Sequence, residues 1–148
     1  MQTIASLLEK FQNLDTDKII EEAFEESTED FAAENRDQMM HGLDRNEQRI
    51  GRYKNNRYAK KKNQLNALPG YGNIDLRLDG PYQNKIEIKV SGEIVEERST
   101  DEKAEYIEAN YGTDMYGLGG EFKAEFLDES LEPKVQEKIS EVIGLPFG

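Results

Sequence analysis

The chain has 148 residues, with 19 Lys and Arg against 31 Asp and Glu, and a net charge of −12 at pH 7. It has one His and no Cys, which excludes a disulfide framework, thiolate chemistry, a zinc site containing Cys and an all-histidine metal site. Only 36% of it is apolar and no run approaches the roughly 20 apolar residues of a membrane span. With an N-terminus, MQTIASLLEKFQ, unlike a signal peptide, this predicts a soluble, lean, single domain made in a cytoplasm.

The charge is unevenly placed. Residues 1–43 carry three basic and eleven acidic side chains, residues 45–62 eight basic and one acidic, and residues 63–148 eight basic and eighteen acidic, with Asp44 between the first two stretches. A basic island thus lies between two acidic regions. Three stretches follow: an acidic helical region over 1–44, a basic arm or loop over 45–72, and an α+β core over 73–148. The island either meets another copy or a neighbour, basic face to acidic face, or pairs with acids of its own chain.

In chain order, Ile4, Leu7, Leu8 and Phe11 fall at helical spacing and predict a short amphipathic helix over 1–12. Leu14-Asp15-Thr16-Asp17 is a break and an N-cap. One long helix is then expected to Met40, with Ile20, Phe24, Phe31 and Met39 near one stripe and His41-Gly42 as its end. From Asp44 to Asn73 the apolar content collapses, which predicts a long loop with a helical turn over 55–65. Eight cations in eighteen residues repel one another, so this arm should extend unless acids lie beside it. Its Arg, Lys and Tyr side chains suit either a nucleic-acid surface or a protein-binding arm. Arg49, Arg52, Tyr53, Arg57, Tyr58, Lys60, Lys61 and Lys62 are the candidate partner-binding residues.

Alternation of Ile74, Leu76 and Leu78, then of Ile86, Ile88 and Val90, then Ile94-Val95, predicts a small, mostly antiparallel sheet with turns at Gly80-Pro81 and Ser91-Gly92. Ser99-Thr100-Asp101 caps a helix over 101–111 that Gly112 stops, with positive φ. A glycine-rich loop, GTDMYGLGGE, follows, with a tight turn at Gly117. A last helix over 122–143 is interrupted or restarted near Glu132-Pro133; its stripe is Phe126, Leu127, Leu131, Val135, Ile139, Val142 and Ile143. The expected fold class is α+β, a small mostly antiparallel sheet packed by the long N-terminal helix and the C-terminal helix, with a long basic arm projecting.

Chemical motifs are sparse. Asp79 with Glu87 and Lys89 matches in outline the Asp…Glu-x-Lys set of Mg²⁺-dependent nucleases, but Glu87 and Lys89 also occupy the face that a half-buried strand turns to solvent. The plain strand is the expectation, with no metal between Asp79 and Glu87; the nuclease is the main alternative and an accessory nucleic-acid-binding module a third. GTDMYGLGGE lacks the Gly-Lys-Ser/Thr of a phosphate loop, and His41 follows an acidic helix as a helix-terminal cation or surface residue. No catalytic set, cofactor site or metal site is read from the residues.

The order of segments resembles small virion proteins of tailed bacteriophages: neck, head–tail joining and tail-completion proteins. The resemblance rests on Ile50, Gly51, Tyr53, Tyr58 and Lys62; on Ile74, Asp75, Leu76 and Gly80; on Ala104, Tyr106, Tyr111 and Gly112; and on Met115, Tyr116, Gly117 and Leu118. It spans residues 50–143, with Asp79 at the usual Thr place and Pro81 after the Gly. It implies a structural, non-enzymatic role as a homo-oligomeric ring or adaptor of the virion at the head–tail junction. Its partners would be itself and neighbouring portal, adaptor or tail proteins. DNA would pass without sequence-specific binding, and no membrane is involved. A ring needs two unlike faces per subunit, which an acidic helical region and a basic arm supply.

Overall fold

The computed structural model describes residues 2–77 and 80–145. Its elements are α1 (Ile4–Gln12), α2 (Thr16–Glu25), α3 (Thr28–Met40), α4 (Asn56–Leu65), α5 (Pro81–Asn84), β1 (Ile86–Ser91), β2 (Ile94–Ser99), α6 (Ala104–Tyr111), α7 (Gly120–Phe126), a π-helical turn (Leu127–Leu131) and α8 (Glu132–Ile143). The class is α+β, with an antiparallel sheet under a helical layer.

The single long helix expected over 17–40 is two helices. Ser27 is fully buried and its hydroxyl donates to the Ala23 carbonyl at 2.7 Å, while Thr28 Oγ1 donates to Glu25 O at 3.2 Å. Side chains that bond back to the preceding turn compete with the helical ladder and let the axis break. The bend lets Phe24 of α2 and Phe31 of α3 close on Phe126 of α7, with ring centroids 5.1–5.7 Å apart. The rest of the core gathers Met39, Ile74, Leu76, Tyr82, Ile86, Ile107, Met115 and Tyr116.

The described sheet has two strands, paired antiparallel from Ile86↔Ser99 to Ser91↔Ile94. Gly92 opens the two-residue turn with φ 60°, the first position of a II′ hairpin turn, where glycine is favoured. Ile86, Ile88 and Val90 face the helices, and Glu87 and Lys89 face solvent. Glu87 stands opposite Arg98 and Lys89 opposite Glu96, so the outer face is built of opposite-charge cross-strand pairs. The third strand expected at 74–78 does not form over its described residues, 74–77. Ile74, Asp75 and Leu76 are all buried, and Leu76 has φ 57°. Asp75 Oδ1 accepts from Arg77 N at 2.9 Å, a local bond that draws the backbone out of the extended form. Leu78 and Asp79 lie outside the described residues.

Gly112 ends α6 with φ 75° and ψ −159°, a region essentially reserved for glycine. The interruption near Pro133 is a π-helical turn rather than a break, so the chain from Gly120 to Ile143 stays helical. Proline has no N–H to give the carbonyl four residues back, and the extra residue of the π-turn absorbs that defect. The wider turn also shifts the expected stripe: Phe126 and Ile143 are buried, while Leu127 and Val142 turn outward.

Candidate interaction surface

The basic segment does not project as the expected arm; backbone bonds hold it along the surface of the domain. Ile50 N donates to Gly42 O, Tyr53 N to Gly72 O and Ile74 N to Gly51 O, all at 2.8–3.0 Å, with isolated bridges at Leu43↔Arg49 and Arg52↔Asn73. Asn55 then caps α4 through its side chain, which accepts from Tyr58 N at 3.1 Å. The helical turn expected over 55–65 is this helix.

The sequence grouped eight candidates; folding separates them by role. Lys62 is buried and its ammonium lies 2.9 Å from Asp75 Oδ1, with a further bond to Arg77 O. Asp75, only 1% exposed, also accepts from Asn66 Nδ2 at 3.1 Å and Tyr53 OH at 3.4 Å. Burial, and then the Asp75 carboxylate, push the Tyr53 phenol well above its ordinary range. Lys62 and Tyr53 are therefore internal struts. Arg49 donates to the carbonyls of His41 and Pro69, which ties the segment to the end of α3. Arg52 is exposed and touches Asn73 Oδ1 at 3.3 Å.

The other four form a surface. Ala59, Lys62, Asn63 and Asn66 turn inward, which leaves Arg57, Lys60 and Lys61 on the outer side of α4. None of these three makes an ion pair among the described residues. Tyr58, 41% exposed, packs edge-on against Tyr53 at 5.1 Å, and Leu65, 70% exposed, follows it along the same edge two turns on. The surface offers cations beside an aromatic and an aliphatic side chain, which can pair with carboxylates or phosphates and cover an apolar patch at once.

A second polar cluster was not foreseen. Tyr82 OH donates to Tyr116 OH at 2.8 Å, Tyr116 OH to Glu108 Oε1 at 2.9 Å, and Arg98 grips Glu108 through two bonds of 3.1 Å. Beside it Glu97 Oε2 accepts from Gly117 N at 3.2 Å, and Oε1 is buried without a partner among the described residues. Burial raises the Glu97 carboxyl to about 7 against the pull of Gly117 N–H and Arg45. A cavity of about 490 Å³ opens on this cluster. Its sequence signal is faint: Glu96-Glu97-Arg98 reads as a charged strand end, and only the pairing of Glu97 with Ile88 turns Glu97 toward the helices.

The glycine-rich loop is held from α3. Asn35 Nδ2 donates to Met115 O and Gly117 O, Gln38 Nε2 to Gly117 O, and Gln38 Oε1 accepts from Gly119 N, each at 2.9 Å. A Cβ on Gly119 would stand 2.1 Å from Arg45 O, so only glycine lets the basic segment cross there. Residues of every motif in the segment order therefore serve to hold the domain together. Among the described residues no group of His, Cys, Asp or Glu is arranged to hold a metal ion, and no helix is long and apolar enough to cross a membrane. No family model, curated protein or solved structure matches the chain.

Proposed function

We propose that this protein is an assembling structural subunit, of the kind that forms a ring or adaptor at the head–tail junction of a tailed phage, and that the outer side of α4 docks on an acidic surface of an adjacent copy or neighbouring virion protein. One observation carries the reading: Arg57, Lys60 and Lys61 stand without ion-pair partners among the described residues on a chain of net charge −12. An isolated cationic face on an acidic molecule is a device of orientation, because like-charged faces repel and only one juxtaposition attracts. The acidic helical region, with three basic and eleven acidic residues over 1–43, is the complement. A basic face meeting an unlike acidic face is a heterologous contact, the kind that builds a ring when the rotation between copies closes.

Two other readings have their own observations. Cations beside Tyr58 also suit single-stranded nucleic acid. A nuclease would draw on Glu87 and Lys89, which lie on the solvent side of β1 opposite Arg98 and Glu96. Native mass and negative-stain imaging of the purified protein, alone and with short DNA, separate the three. The proposal expects closed oligomers that form without DNA. A persistent monomer that cuts DNA with Mg²⁺ would establish the nuclease, and a monomer that assembles only along DNA would establish the nucleic-acid module.

A further inference from the structure

We propose that the outer edge of β1 is an acceptor for a strand from a different polypeptide, an extended segment in which apolar residues alternate with Lys or Arg. This inference does not rest on the basic face of α4. The hairpin register fixes which backbone groups are free. A two-residue turn makes Ser91↔Ile94 a hydrogen-bonded pair, so Lys89 and Glu87 also bond across to β2. Ile86, Ile88 and Val90 must then point their N–H and C=O groups away from β2. The same parity holds on the far edge, where Ser99 N turns outward and finds Tyr116 OH. On the β1 edge, among the described residues, no backbone or side-chain group bonds the main chain of Ile86 or Ile88.

An open strand edge is a template for pairing, and here it borders a groove. A cavity of about 680 Å³ runs between α3 and β1. Its α3 wall carries Ala32 and Ala33, whose small side chains leave room above an added strand, and Ile86 and Ile88 would flank that strand's apolar side. Among the described residues the rim carries Glu29, Asp30 and Glu87 against Arg36. The chemistry fits a strand with an apolar side toward the helix and cations between. The protein's own basic segment is not available for this place, since its backbone is already bonded to residues 42 and 72–74.

The probe is a synthetic heptapeptide, Lys-Val-Arg-Val-Lys-Val-Arg with blocked ends, added to the full chain and read by calorimetry and amide hydrogen exchange. The expected result is saturable binding that slows exchange at Ile86 and Ile88 and leaves Glu87 and Lys89 as they were. Methylating one alternating set of peptide amides should abolish binding, and methylating the other set should leave it. Ala33→Lys, on the exposed side of α3, should weaken binding by about tenfold or more with an unchanged melting temperature. Failure of the peptide to bind overturns the proposal, as does binding that ignores the methylation phase or survives Ala33→Lys. Protection of the same amides by protein concentration alone would assign the edge to a second copy and equally contradict it.

Discussion

Folding holds the Glu97 carboxyl at about 7 against an ordinary value of 4.5, because burial favours the neutral acid. The folded state therefore binds this proton more tightly than the unfolded chain. Its stabilising contribution is complete below about 4.5 and is lost as pH rises through 7, by roughly 2–3 kcal/mol. Glu97→Gln keeps the shape and removes the titration, so the variant should gain on the parent between pH 5 and pH 8 in thermal melts; parallel curves would contradict this. Lys62 and Asp75 make the opposite kind of buried polar group, one whose partners are all in place. Lys62→Met leaves the Asp75 charge without its cation and should cost about 3–5 kcal/mol in denaturant unfolding; a loss below about 1 kcal/mol would mean that the pair carries little. Neither role was legible in the sequence. Lys62 stood among surface cations and Asp75 on the polar side of an alternating run, and only the fold brings positions 62 and 75 together.

Local signals fared better for elements than for single side chains. The caps at Thr3, Asp15 and Asn55 each carry a side-chain bond to the first turn, and the β1–β2 hairpin follows from alternation and Gly92. Two elements escaped the periodicity. The break at Ser27 lies inside an unbroken helical stripe, since Ser and Thr bend a helix through bonds that apolar spacing does not record. The strand expected at 74–78 failed over its described residues because Asp75 is taken up by four side-chain and backbone donors rather than by solvent. Gly112 is the clearest test at this scale. A Cβ there meets no atom within 4 Å, so the cost of Gly112→Val comes from the backbone conformation alone, about 1–3 kcal/mol. That lowers the melting temperature by about 2–4 °C for each kcal/mol. Glu105→Ala, on the exposed face of the same helix, should leave it nearly unchanged; equal melts for the two would refute the reading of Gly112.

Over the whole molecule, the placement of charge was legible and its use was not. The basic island appears at once in the sequence, yet folding divides it into struts, ties and a free outer face on α4, and only that last part is offered to a partner. Exposed Ile4, Leu8 and Phe11 on α1 give the acidic 1–43 region an apolar side as well, so the attraction between unlike faces would also bury surface from water. The most direct test compares the parent with the triple variant Arg57→Glu, Lys60→Glu, Lys61→Glu by light scattering at micromolar concentration, with melts as a control for folding. The account predicts that the parent self-associates at low salt, that short DNA does not displace this association, and that the variant is a folded monomer. A variant that assembles like the parent while losing DNA binding would contradict it and make the α4 face a nucleic-acid surface.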